Sequence, residues 1–261
     1  PPDHLPPLRT GARAVALGVE LVSGAGAFVV GAALLWARHE AIVWQPPRWG
    51  RAVGGAPEGA RRIDHAAADG QPLLAWLVEP AGAPAETPVG TLVAFHGNAE
   101  VAAWSVPWAR AVAARTGWRV LLPEYREYAG LGGRPSYEGS RRDAWAAMDV
   151  ARGLPGFGGA PFALFGHSLG SAVAAELAAR LAADDPTEAA APGALILQSP
   201  FSSIADMTRV FAGARAAWWR RVGRVYFDTV ARVRALDVPV WVAHGALDLI
   251  APQRMGRAVY A

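Results

Sequence analysis

Residues 162–171 read FALFGHSLGS, and their interpretation decides the rest of the chain. The apolar run Phe162 to Phe165 suits a short strand buried on both faces of a parallel sheet. Beyond it, Leu169, Val173, Leu177 and Leu181 recur at i+4 spacing with Glu176 and Arg180 between them, the pattern of an amphipathic helix. Gly166-His167-Ser168-Leu169-Gly170 joins the two. A serine at the apex of so sharp a strand-to-helix turn sits in a strained backbone conformation with its Oγ lifted clear of the sheet. Only residues without bulk fit two positions to either side, because the strand and helix backbones nearly touch there. Ser168 is therefore the candidate nucleophile, and Gly166 and Gly170 are the residues that permit its perch.

Working outward, further apolar runs bounded by turn residues stand at 73–79, 91–95, 118–122, 194–198 and 239–243, with helical stretches at 100–115, 138–152, 169–183 and 229–236. Strand and helix alternate from about residue 90. The expected fold class is thus α/β, a mostly parallel, doubly wound sheet with helices on both faces and right-handed crossovers. Residues 61–68 and 73–79 precede it as two strands joined through Ala68-Asp69-Gly70-Gln71, a hairpin-like turn.

Two other turns belong at the carboxyl ends of strands, where the perched serine also lies. His96-Gly97-Asn98-Ala99-Glu100 follows the 91–95 run. Acyl transfer needs two N–H donors for a tetrahedral oxyanion, and the backbone groups of Asn98 and Leu169 are the candidates. His96 reads as a buried turn histidine bonded to its own loop, and His167 as pointing away from the reacting centre. His244-Gly245-Ala246-Leu247-Asp248 follows the 239–243 run. Asp248 comes after the serine in chain order, as the acid of a Ser…Asp…His arrangement does, and would orient an imidazole and stabilise it when protonated. The competing reading of Asp248 is a loop-capping aspartate.

Composition removes whole classes of chemistry. The 261 residues contain no cysteine, so thiolate nucleophiles, disulfides and cysteine-ligated metals are out. All 25 basic residues are arginine, which excludes a P-loop, a Schiff-base lysine and a Ser-x-x-Lys pair. No histidine pair has metal-ligand spacing, so neither metal nor cofactor is expected. Gly156-Phe157-Gly158-Gly159 precedes a strand instead of following one, which rules it out as a dinucleotide loop. With a net charge of +3 and no dense basic cluster, nucleic acid is not an expected partner.

Ahead of the α/β pattern, residues 14–36 read AVALGVELVSGAGAFVVGAALLW, 23 residues with Glu20 as the single charge. At about 1.5 Å per residue they match the ~30 Å hydrocarbon core of a bilayer. The expected organisation is a flank at 1–13, a single-pass anchor at 14–36 placing the protein in a bacterial inner membrane, a Pro/Gly/Ala-rich linker at 37–60 and the catalytic domain at 61–261. A cleaved signal peptide is the alternative for the apolar run. Residues 215–226, RAAWWRRVGRVY, belong to a lid-like insertion near 204–236. They read either as a solvated helix with its tryptophans packed inward or as a cover for a membrane surface or a lipid-like acyl group.

Taken in order, these motifs resemble the α/β-hydrolase superfamily, and within it the membrane-anchored Bem46-like branch of ABHD-type serine hydrolases. The resemblance runs from about Glu40 to the last residue. It includes Gln45-Pro46-Pro47-Arg48, Ala68-Asp69-Gly70, His96-Gly97-Asn98-Ala99, Gly133-Arg134-Pro135-Ser136, the 166–170 turn, Ser199-Pro200-Phe201-Ser202-Ser203 and His244-Gly245 with Asp248. Departures fall at Tyr125-Arg126-Glu127-Tyr128-Ala129, at Leu131, and at Glu100, where the family usually has glycine. The resemblance implies an α/β-hydrolase fold and a Ser168 acyl-enzyme formed from an ester, thioester or amide of a small-molecule or lipid-like substrate. It also implies a histidine base after the last strand. The six histidines are His4, His39, His65, His96, His167 and His244, and none follows Asp248. The expectation is a sequence truncated at its C-terminus, lacking the last strand, the histidine loop and the terminal helix, and so inactive as written. Its 239–243 strand would then be an exposed edge that lowers solubility. The alternative is an inactive, membrane-tethered binding or scaffold protein.

Overall fold

In the computed structural model, the structure describes residues 40, 43–47, 56–82, 89–184, 191–213 and 225–261. The run at 14–36 and most of 215–226 lie outside the described residues. No helix among the described residues is long and apolar enough to cross a membrane.

The described residues form a seven-stranded sheet: β1 (Arg61–Ala66), β2 (Pro72–Val78), β3 (Thr91–Phe95), β4 (Arg119–Pro123), β5 (Phe162–His167), β6 (Ala194–Gln198) and β7 (Val240–Ala243), in spatial order β1-β2-β4-β3-β5-β6-β7. The first hairpin is antiparallel, β2 meets β4 antiparallel, and every pair from β4 to β7 is parallel. Gly70, at φ 80°, supplies the left-handed residue that the β1–β2 turn needs.

Strand alternation sorts the core into two layers. On one face Leu74, Trp76, Val78, Leu92, Ala94, Val120 and Leu122 pack against Val106, Ala109 and Ala113 of α1 (Val106–Thr116). On the other face Ala75, Leu77, Val93, Phe95, Leu121, Leu164 and Leu197 pack against α2 (Tyr137–Arg152) and α3 (Leu169–Asp184). Three shorter helices follow: α4 (Ile204–Ala212), α5 (Thr229–Arg234) and α6 (Gln253–Tyr260). The helix expected from residue 100 begins at Val106, after a 3-10 turn at Ala102–Ser105. Pro107 sets that boundary, since a proline is accommodated in the first helical turn, where its missing N–H costs nothing.

The stretch read as a linker contributes to the domain. Trp44 is 2% exposed, with its ring centroid 6.0 Å from that of Phe227. The Pro/Gly composition around it concealed one large buried side chain. At the far edge, β7 pairs with β6 alone among the described residues, and Trp241 on it is 60% exposed.

Chain order reverses between β3 and β5: β4 lies to one side of β3, and the chain then returns to place β5 on the other. Neighbouring loops therefore diverge there, above the carboxyl ends of the two strands, and leave the crevice in which ligands of open α/β sheets bind.

Candidate active site

Ser168 stands directly above that crevice with φ 50°, a left-handed conformation rare for serine. Its N–H donates to Gln198 O at 2.9 Å, and its carbonyl accepts from Ser171 N–H at 3.0 Å. Ser171 Oγ donates to Gly166 O at 2.8 Å and to Gln198 O at 3.1 Å, closing the turn from beneath. A Cβ on Gly166 would run into the Gly170 carbonyl, and one on Gly170 into the carbonyls of Phe95 and His96. Ser168 is half-buried, and its hydroxyl has no hydrogen-bond partner among the described residues.

The register Phe95↔Gly166 sets the 96–100 turn beside this serine. His96 is fully enclosed, with Nδ1 2.8 Å from Gly97 O and Nε2 2.7 Å from Glu124 Oε1. Both ring nitrogens face acceptors, so both donate. Burial opposes the charged ring, but the Glu124 carboxylate outweighs it and raises the pKa above the ordinary histidine value. Glu124 also accepts from the N–H groups of Ala102 and Tyr125, and Tyr125 Oη donates to His96 O. The Asn98 side chain is wholly engaged. Its Nδ2 donates to Val43 O at 2.6 Å, and its Oδ1 accepts from Gln45 N, Tyr128 Oη and Ala99 N. Gly97 N–H is taken by Glu100 Oε2 at 2.9 Å. The N–H groups of Asn98 and Leu169 have no acceptor among the described residues. Two donors without acceptors, flanking a serine whose hydroxyl has no partner, can receive an oxygen that gains negative charge.

Asp248 follows β7, two strands from β5, a lateral separation of about 9–10 Å. The carboxylate caps its loop, with Oδ1 accepting from Ile250 N and Ala251 N at 2.9 Å each. Burial raises its pKa, but those N–H groups, Ser199 and His244 more than offset this and leave it below the usual carboxylate range. The structure therefore gives Asp248 a capping role whatever its part in chemistry. His244 Nε2 donates to Ala251 O at 2.7 Å and lies 3.6 Å from Asp248 Oδ2, which holds the loop. Neither His96, His167 nor His244 hydrogen-bonds Ser168. Among the described residues no group of three His, Asp or Glu side chains could hold a metal ion.

Glu124, Gln45 and Tyr128, to which the motifs assigned no role, complete the site. Gln45 and Tyr128 lay within quoted motifs, and Glu124 showed as a lone carboxylate directly after the strand Arg119–Pro123.

Comparison with known proteins agrees with this fold. Residues 91–205, which hold the 96–100 turn and Ser168, match the thioesterase domain family. An uncharacterized protein of Mycobacterium tuberculosis, Rv2307c, is 36% identical over 148 residues, 56% of this chain and 48% of that protein. The matched part thus spans about half the length of that relative. The alpha/beta hydrolase domain-containing protein WAV2 of Arabidopsis thaliana is 28% identical over 253 residues, 90% of this chain and 79% of its own. Among solved structures, the esterase Pf2001 of Pyrococcus furiosus superposes with a TM-score of 0.60 at 16% identity, covering 82% of this chain and 80% of the esterase.

Proposed function

Since the chain is a member of the α/β-hydrolase superfamily, as its fold and its relatives show, we propose that it hydrolyses an ester, thioester or amide through a Ser168 acyl-enzyme. Ser168 Oγ attacks the carbonyl carbon, the carbonyl oxygen takes the negative charge toward the Asn98 and Leu169 N–H groups, and the leaving group departs with a proton. Water then attacks the acyl-enzyme by the same route and returns the serine. The observation that carries this reading is Ser168 itself: left-handed at φ 50°, half-buried, its hydroxyl unpartnered beside two backbone donors without acceptors. The match to thioesterases supports a small-molecule or lipid-like acyl substrate.

The serine proton needs a base. Asp248 stands where it could orient an imidazole, but the three nearby histidines are committed elsewhere: His96 to Glu124, His167 to Glu100 and His244 to Ala251. Among the described residues no imidazole hydrogen-bonds Ser168 to take that proton. Missing one triad member costs roughly 10⁴ to 10⁶ in rate.

Hydrolysis of a p-nitrophenyl ester by the 261-residue polypeptide tests this. Turnover is expected to be near background in plain buffer, to rise with added imidazole, and to vanish in Ser168→Ala. Strong imidazole-independent turnover that Ser168→Ala abolishes would place a base within this sequence. That no imidazole among the described residues touches Ser168 is the observation behind a second reading, a catalytically inactive hydrolase-like binding or scaffold protein. It requires that imidazole leave the rate unchanged.

A further inference from the structure

Glu100 and His167 have no role in the reaction as derived so far, yet they are in contact immediately beside it. Glu100 closes the 96–100 turn and His167 precedes the nucleophile. Glu100 Oε1 lies 3.1 Å from His167 Nδ1, while its Oε2 accepts the Gly97 N–H at 2.9 Å. Gly97 lies against the pair: a Cβ there would stand 2.9 Å from His167 Nδ1 and 3.1 Å from Glu100 Oε1. The two side chains are each about a third exposed, at 34% and 33%.

A carboxylate in this place opposes the chemistry. It is bound to the amide one peptide unit before Asn98 N–H, so an oxyanion held there would face it from roughly 6–7 Å. Burial raises the Glu100 carboxyl, but His167 and the Gly97 N–H outweigh it and keep it below the ordinary glutamate value, so it is charged at neutral pH. After solvent screening, like-charge repulsion at that distance would slow oxyanion formation on the order of tenfold. The other groups facing the pair cannot offset this. His96 is already neutralised by Glu124, and Tyr125, its pKa pushed well up by burial, stays uncharged. Ser105, Trp108 and Gln198, which line the adjoining cavity of about 120 Å³, carry no charge. The net charge beside the oxyanion turn therefore depends on His167 alone.

We propose that His167 is a charge-compensating positioning residue. When protonated it neutralises Glu100, and through the Glu100 bond to Gly97 N–H it ties the oxyanion turn to the serine turn. The inference rests on the reading of Asn98 and Leu169 as oxyanion donors.

A double-mutant cycle tests it. The rate of Ser168 labelling by a fluorophosphonate is measured in imidazole buffer. In this reaction Oγ bonds to phosphorus, fluoride leaves, the serine proton passes to imidazole, and the phosphoryl oxygen gains charge at the same donors. At pH values where imidazoles are protonated, His167→Gln is expected to label about tenfold more slowly than wild type. The double variant Glu100→Gln/His167→Gln is expected to recover to within about threefold of wild type, because neither charge remains. A structural role for His167 requires the reverse, a double variant no faster than His167→Gln, and that result overturns the inference. The wild-type to His167→Gln rate ratio should also fall toward one as pH rises through the range where imidazoles lose their proton, since the external base cancels in the ratio. A flat ratio overturns the inference, and His167→Asn supplies the same comparison if His167→Gln fails to fold. Absence of any Ser168 label in wild type removes the serine reading and this inference together, whereas labelled wild type with a flat cycle removes this inference alone.

Discussion

Ser168 owes its accessibility to two residues that contribute no chemistry. Gly170 packs its α-carbon against the carbonyls of Phe95 and His96, and Gly166 packs against the Gly170 carbonyl, so strand, turn and helix meet with no room for a methyl group. The intruding neighbours would be backbone, which cannot rotate away as a side chain can. Gly170→Ala should therefore cost about 3 kcal/mol, lowering Tm by roughly 6–12 °C in thermal unfolding. Gly158, whose added Cβ would meet nothing within 4 Å, is the matched control, and Gly158→Ala should leave Tm nearly unchanged. Equal Tm values for the two variants would contradict this account of the turn. The requirement was legible in Gly166-x-Ser168-x-Gly170 because steric exclusion writes itself into residue identity. His96, by contrast, showed only that it lay in a turn; its buried pairing with Glu124 joins residues 28 apart, and no local pattern encodes that.

Between elements, the β1–β2 turn, the 124–136 loop and α2 are tied by one arginine. Arg126 donates to Asp143 from Nε and a terminal nitrogen, at 3.0 and 2.7 Å, and to Asp69 at 2.9 Å, while Arg142 reaches Asp69 at 3.0 Å. The two aspartates respond oppositely. Burial raises Asp143 despite its bonds to Arg126. Arg126, then Arg142, hold the more exposed Asp69 well below the usual carboxylate range. A depressed folded-state pKa adds stability above the unfolded value near 3.9, and that stability is lost as pH falls through the folded value. Asp69→Asn should therefore lower Tm by about 2–4 °C at pH 7, the gap shrinking as pH drops below about 4. A gap that widens in acid would show that Asp69 acts by packing alone. Sequence reading found the Ala68-Asp69-Gly70 turn and the departure at Tyr125-Arg126-Glu127, but not that they face each other, since the contact arises only when β2 pairs with β4.

At the scale of the molecule, the alternation of apolar runs with amphipathic stretches was enough to give a doubly wound sheet. Buried parallel strands are nearly continuous in apolar residues, and the helices between them carry one apolar face. Strand order was less accessible, because it depends on which crossover passes which face, and the reversal between β3 and β5 that opens the crevice appears only in three dimensions. Trp44 was concealed for a related reason: its burial comes from residues around Phe227, distant in the chain, while its own neighbours are Gln45, Pro46 and Pro47. The central claim concerns one oxygen, and mass spectrometry reads it most directly. Incubated with a fluorophosphonate and imidazole, then digested and mapped, the protein is expected to carry one adduct, on Ser168, that is absent from Ser168→Ala. Modification of another residue, or none after prolonged exposure, would contradict the claim that this serine is the nucleophile.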